Sequence, residues 1–345
     1  MQPPEMTPAT AARIWAESTL GRSSEKRLMV FSGSSNPDLA RGISQRLGIR
    51  LGDVEIKHFA NGEVYCRFNE SVRGSDVFLV QSPSGPNRVN NDLMELLIMI
   101  DAAKLASVHR ITAVIPWYPY ARQDKKSSGR EPITGRLVAN LLEAAGVDRV
   151  LSMDLHAGQI QGFFNIPFDH MTAVPMLATY FRDLGLTGDR CVVVSPDAGR
   201  AKLAKKFADK LETSLAVLTK ERPQHNVAEV TNVIGEVEGR TAIMIDDMID
   251  TGGTLCAGAQ ALIDHGAREV YACATHAVFS GPALERIADS VIKECVVTDT
   301  IPVPMQGRPG NVRVLSVSGV LADTIRNVFC DESVSAIFAG ENQLF

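Results

Sequence analysis

From Leu28 onward, short apolar runs rich in β-branched residues alternate with stretches in which apolar residues recur at helical spacing. That alternation predicts parallel strands joined by crossover helices. Strands are expected at residues 28–31, 77–80, 111–115, 149–153, 191–194, 216–218, 241–245, 269–274 and 291–298. Several are apolar on consecutive residues, as strands covered on both faces must be. Between them, residues 91–107 carry Leu93, Leu96, Leu97 and Ile100 on one helical face, and residues 132–146 run from Pro132 to a capping Gly146. The same order of strand, small-residue turn and helix occurs twice, from Phe31 into 38–47 and from Ser195 into 200–211. The pattern predicts two similar α/β domains, each a mainly parallel sheet flanked by helices, meeting near residues 167–175. The expected division is 26–171 and 172–321, with residues 322–345 packing back on the first domain.

Composition narrows the function. The chain has 345 residues, 45% of them hydrophobic, and 35 basic side chains against 40 acidic, for a net charge of −5. No broad positive field is available to gather nucleic acid or an anionic membrane, so an anionic substrate needs a local site. The six cysteines contain no C-x-x-C pair, which fits neither a zinc site nor a disulfide framework and points to a reducing, cytoplasmic setting. No apolar run approaches the roughly 18 residues that span a bilayer. Residues 1–25 hold Pro3, Pro4, Pro8, Glu5 and Glu17 and read as a loosely attached extension rather than a secretory signal.

In open α/β sheets, sites form beyond the carboxyl ends of strands. The strongest exit is the run from Asp246 and Asp247 through Asp250, Thr251, Gly252, Gly253 and Thr254, where a buried strand gives way to a glycine turn opening a helix. Backbone amides and the helix N-terminus suit a phosphate monoester there. The absence of a lysine after the glycines excludes a Walker A loop. Adjacent aspartates on a strand point to opposite sides, so the pair suits sugar hydroxyls better than a phosphate. At Ser195-Pro196-Asp197, the aspartate reads equally as a helix cap or a ligand. Asp154 and His156, two apart in an extended segment, are expected to face one side. Tyr120, Arg122, Gln123, Asp124, Lys125 and Lys126 place a ring, an amide and cations in one loop, a set that suits a purine nucleotide. Lys220 and Arg222 add two cations able to close over a polyphosphate. Phe59, Asn61 and Glu63 either meet a base or form a hairpin tip around Asn61-Gly62.

Taken together, the segments Phe59-Ala-Asn-Gly-Glu63, Glu70-Ser-Val-Arg-Gly74, Tyr118 to Lys126, Asp154-Leu-His156, Ser195-Pro-Asp197 and Asp246 to Thr254 resemble the ribose-phosphate pyrophosphokinases, over about residues 28–338. The resemblance implies phosphoribosyltransferase-like domains and transfer of a diphosphoryl group from Mg–ATP to the 1-hydroxyl of ribose 5-phosphate. It implies that Asp250 to Thr254 hold the 5-phosphate and that Asp246 and Asp247 hold the ribose hydroxyls. Phe59, Asn61, Glu63, Arg122, Gln123 and Asp124 would serve ATP, with His156 and Asp197 serving Mg2+ or its water shell. Lys220, Arg222 and Lys125 would be catalytic cations. It further implies a homo-oligomer, commonly a hexamer, with ATP bound between subunits, and regulation through Ser71, Arg73, Arg130, Ser333 and Ser335. Two positions depart from the commonest pattern: Asn61 stands where many members have aspartate, and Arg200 replaces a usual glycine. The competing readings are a phosphoribosyltransferase, which would not need the Arg122 to Lys126 loop, and a non-catalytic associated subunit, which would dispense with Lys220 and Arg222.

Overall fold

The computed structural model describes residues 26–85, 88–221 and 230–338. In chain order the strands are β1 (Leu28–Ser32), β2 (Val54–His58), β3 (Val64–Phe68), β4 (Asp76–Val80), β5 (Arg110–Ile115), β6 (Arg149–Met153), β7 (Phe168–Met171), β8 (Cys191–Ser195), β9 (Ser214–Glu221), β10 (Val230–Ile234), β11 (Thr241–Ile249), β12 (Glu269–Ala277), β13 (Ile292–Thr298) and β14 (Val312–Leu315). The helices are α1 (Pro37–Leu47), α2 (Val89–Leu105), α3 (Thr134–Ala145), α4 (Val174–Asp183), α5 (Ala201–Leu211), α6 (Gly253–Asp264), α7 (Ala283–Ala288) and α8 (Ser318–Phe329). Among the described residues, one sheet has the order β1-β4-β5-β6-β7 with every pair parallel. The second has the order β10-β9-β8-β11-β12-β13-β14, parallel except where β10 turns back on β9. The chain is therefore α/β, with two mainly parallel sheets flanked by helices.

Three apolar clusters account for the layering. One joins Val30, Phe78, Val114 and Leu151 of the first sheet to Val193, Ile243, Tyr271 and Val296 of the second, through residues of α1, α4, α5 and α8. The opposite face of the first sheet is buried under α2 and α3, and that of the second under α6 and α7. Burying a Leu- or Phe-sized side chain contributes about 1.5–3 kcal/mol, so the shared cluster resists separation of the two halves. Near the C-terminus, Arg46 Nε of α1 donates to Ser318 Oγ of α8 at 3.1 Å, and Asp331 pairs with Lys26 and Arg110. The ends of α1 follow from sequence: Asn36 Oδ1 accepts from Leu39 N, Pro37 sits in the first turn, and Gly48 takes the left-handed cap at φ 70°.

Five strands escape the sequence reading. β2 and β3 form a hairpin on either side of the Asn61-Gly62 turn. β7 and β14 are short and mix polar with apolar residues, and β10 is an antiparallel edge strand. β11 continues to Ile249, four residues beyond the expected end at Ile245, because β12 keeps pairing with it as far as Ala277. Asp246 and Asp247 therefore lie within the strand.

Candidate active site

The phosphate turn is built at the end of β11. Gly252 adopts φ 73°, a left-handed backbone that favours glycine, and opens α6 with no side-chain cap, so the helix N-terminus faces a place suited to an anion. Arg286 of α7 donates from Nη1 to the Thr251 carbonyl at 2.9 Å, which braces the turn from outside. Arg122 Nη1 lies 2.8 Å from Asp250 Oδ2 and reaches the turn from the first sheet. Burial opposes ionisation of Asp250, but hydrogen bonds from Ser280 and Arg122 outweigh it and hold its carboxyl below the ordinary range.

Across the turn stand His156, Asp197 and Arg200. His156 Nδ1 is 2.9 Å from Asp247 Oδ2. Arg200 lies 2.9 Å from Asp247 Oδ1 and 3.4 Å from Asp246 Oδ1, and it donates to the His156 carbonyl at 3.1 Å. Asp246 and Asp247, expected to point to opposite sides, are nevertheless spanned by a single guanidinium. Burial and the neighbouring Asp247 push the Asp246 carboxyl above its usual range. Burial works the same way on Asp247, yet hydrogen bonding from His156 and Asp246 and the Arg200 charge bring it below. Asp197 is a cap in fact, accepting from Arg200 N at 3.0 Å, and it also faces the cavity. That cavity, of about 300 Å³, is lined by Arg122, His156, Asp197, Arg200, Asp246, Asp247 and the turn from Asp250 to Thr254.

Asp154 does not stand beside His156. The chain leaves extended geometry at Asp154, φ 36°, and its carboxylate turns inward to accept from Ala173 N at 2.8 Å and Thr275 Oγ1 at 2.6 Å. The buried His276 ring faces the carbonyls of Met153 and Asp154 at 3.1 and 3.2 Å. Burial, the largest influence, keeps that ring below the ordinary histidine value despite the nearby carboxylates. This inter-sheet lock escaped sequence reading because its partners lie more than 100 positions apart; Arg286 escaped because it lies 35 residues beyond Thr251, on α7, which folds back over the turn.

A second cavity of about 510 Å³ adjoins the first and shares Arg122, Asp250 and Thr251 with it; Trp117, Tyr120 and Gln123 also line it. Gln123 Oε1 accepts from Thr134 Oγ1 at 2.6 Å, and Asp124 accepts from Gln159. Lys125 is exposed and lines neither cavity. The hairpin tip also lies apart from both: Phe59 is 56% exposed and Asn61 Oδ1 accepts from Glu63 N. Ser71, Arg73, Arg130, Ser333 and Ser335 are exposed, with Arg130 at φ 70°. Lys220 sits on the backbone at the carboxyl end of β9, the edge where the turn also lies, while its side chain and all of Arg222 fall outside the described residues. Among the described residues no group of three His, Cys, Asp or Glu side chains converges to hold a metal ion, and no helix is long and apolar enough to cross a membrane.

An amide-lined turn at a strand end, facing acidic and basic side chains drawn from two sheets, marks an α/β protein with a site suited to an anionic ligand. A family model described as the N-terminal domain of ribose phosphate pyrophosphokinase matches residues 28–146, and one described as the phosphoribosyl synthetase-associated domain matches 223–339. The ribose-phosphate pyrophosphokinase of Fusobacterium nucleatum is 55% identical over 309 residues, covering 90% of this chain and 97% of that protein. That of Caldanaerobacter subterraneus is 55% identical over 311 residues, covering 90% and 98%. The crystal structure of phosphoribosylpyrophosphate synthetase from Mycobacterium smegmatis superposes with a TM-score of 0.82 at 47% identity, covering 89% of this chain and 100% of that one. The chain belongs to the ribose-phosphate pyrophosphokinase family.

Proposed function

We propose that this chain transfers the β,γ-diphosphoryl group of Mg–ATP to the 1-hydroxyl of ribose 5-phosphate, giving phosphoribosyl pyrophosphate and AMP. The observation that carries the reading is the single cavity in which the Asp250 to Thr254 turn meets Arg122, His156 and Asp197. The turn and the α6 N-terminus hold the 5-phosphate, and Asp246 and Asp247 accept hydrogen bonds from the ribose hydroxyls. The 1-hydroxyl oxygen bonds to the β-phosphorus, the bond from that phosphorus to the α,β-bridging oxygen breaks, and the hydroxyl proton is released. Negative charge builds on the equatorial oxygens, where Lys220, Arg222 and Lys125 are the cations assigned to meet it.

The donors present fit magnesium in one way. Magnesium prefers oxygen, keeps several waters and is usually bound through one or two carboxylates plus substrate phosphates. Asp197 supplies such a carboxylate and His156 suits the water shell, in keeping with the lack of a three-ligand cluster among the described residues. When bound, the ion offsets polyphosphate charge. Arg122, Gln123 and Asp124 border the adjoining ATP space, while Phe59, Asn61 and Glu63, remote from it in their own chain, serve adenine in a neighbouring subunit of a homo-oligomer. Ser71, Arg73, Arg130, Ser333 and Ser335 are assigned to a phosphate- and ADP-responsive site.

AMP release from ATP, with and without ribose 5-phosphate, tests the reaction. The reading requires release that depends on the sugar phosphate; release absent under all conditions, or supported by a nucleobase in its place, overturns it. Solution mass tests the oligomer, and flat activity from zero to tens of millimolar phosphate would remove the regulatory assignment.

A further inference from the structure

Arg200 has no part in the reaction assigned above, yet it occupies the centre of the site. It ends the one-turn 3-10 segment Ala198–Arg200, whose start is capped by Asp197, and the side chain runs back toward β11 rather than out to solvent. Only 18% of that side chain is exposed. Its Nη2 lies 2.9 Å from Asp247 Oδ1 and in contact with the His156 ring; Nη1 donates to the His156 carbonyl at 3.1 Å, and Nε lies 3.4 Å from Asp246 Oδ1. A permanent cation thus fills the space between an imidazole and two carboxylates.

We infer that Arg200 is a specificity-determining residue of this site: its guanidinium takes the place of a free divalent cation and admits such an ion only as its complex with a polyphosphate. The inference rests on the proposed role of His156 and Asp197 toward the metal ion. Arg200 sets one positive charge against the Asp246 and Asp247 carboxyls, and removing it leaves the site one charge more negative. A bare divalent ion approaching Asp247 and His156 must displace the guanidinium or sit against it, and like charges at such separations repel strongly in a partly buried site. A metal polyphosphate meets a different situation. It brings its own oxygen ligands to the ion, and its negative charge gives the guanidinium a fork-matched partner, drawing it off the carboxylates. The anion that supplies the ion therefore also clears the space.

Mn2+ serves as the probe, titrated against the full chain with no nucleotide and followed by the electron paramagnetic resonance signal of the free ion. Arg200→Gln keeps amide donors beside the buried Asp247 and Arg200→Ala removes them; circular dichroism and thermal unfolding establish that each is folded. Both variants should bind Mn2+ at least about tenfold more tightly than the wild type. Arg200→Lys, which keeps the charge, should stay near the wild-type affinity, and adding His156→Ala to Arg200→Gln should abolish the gain. With ATP present, the wild type and Arg200→Gln should bind the Mn2+ complex within about threefold of each other. If folded Arg200→Gln binds free Mn2+ no more tightly than the wild type, the inference is overturned. AMP release by the same wild-type preparation separates the two claims: an active wild type with unchanged Mn2+ affinity in Arg200→Gln removes this inference alone, whereas an inactive one removes the proposed function and this inference with it.

Discussion

Replacing Thr275 with valine tests whether the lock between the sheets sets both stability and the position of His156. Thr275 is 2% exposed and its hydroxyl donates to Asp154 Oδ2 at 2.6 Å. Valine has nearly the same shape, so the substitution removes the donor without opening a cavity. Asp154 keeps its bond from Ala173 N at 2.8 Å, and its own carbonyl keeps the His276 ring. A hydrogen bond to a charged group contributes about 1.5–3 kcal/mol net, so unfolding free energy should fall by about 2 kcal/mol. That is a large share of the roughly 5–15 kcal/mol typical of a folded domain. Denaturant unfolding measures it, and Trp117 is a local reporter because its ring lies 4.9 Å from the His276 ring. Since Asp154 fixes the left-handed turn two residues before His156, kcat should also drop on the order of tenfold. Thr275→Ser, which restores the hydroxyl, should recover most of both losses. A Thr275→Val midpoint equivalent to less than about 0.5 kcal/mol of destabilisation would refute the reasoning.

Other perturbations follow from the same geometry. Gly252→Ala should cost about 1–2 kcal/mol through its left-handed backbone rather than through a clash, since an added Cβ would come no closer than 3.4 Å to Ala283 O; unfolding curves and the ribose 5-phosphate KM check it, and an unchanged KM would release the turn from its phosphate role. Lys220→Ala and Arg222→Ala should keep the fold and each lose about 3 kcal/mol of transition-state binding, on the order of a hundredfold in kcat; near-normal kcat in both would dismiss the loop. For Arg122→Gln the sign of the pH dependence is set by Asp250, whose carboxyl the structure holds below its ordinary value. A depressed carboxyl adds stability that is present above the unfolded-state pKa and lost as pH falls through the folded one. The stability gap between wild type and Arg122→Gln should therefore be full at neutral pH and close as pH falls below the ordinary carboxylate range; denaturant midpoints showing a constant gap from neutral to acid pH would contradict it.

The sheet-forming runs were readable because strands covered on both faces are mostly apolar, as at β5, β6 and β8. Helix ends were readable where a single residue decides them, as Gly146 does with φ 108° after α3. Edge strands such as β10 and β14 carry a weaker signal because one side needs no burial. In the site, the glycine turn and the Arg122 loop announced themselves by composition, each being contiguous. Asp154 misled for the opposite reason: its spacing to His156 promised one face, while the deciding contacts come from Ala173 and Thr275.

The missed length of β11 explains how the site arises at all. β8 pairs with β11 only from Thr241 to Met244, whereas β12 follows it to Ile249. Past Met244, β11 therefore has a neighbour on one side and an open edge on the other. Backbone groups on an open edge must find other partners, and the Asp247 amide finds the Asp246 carboxylate at 2.8 Å. The chain leaving β8 at Ser195 turns through Asp197 into α5 beside that gap, which brings Arg200 against both aspartates. Alternation along a regular strand would have sent the two carboxylates to opposite faces. The unequal lengths of β8 and β11 instead leave an edge across which one side chain meets both, and the phosphate turn begins where β11, still held by β12, comes to its end.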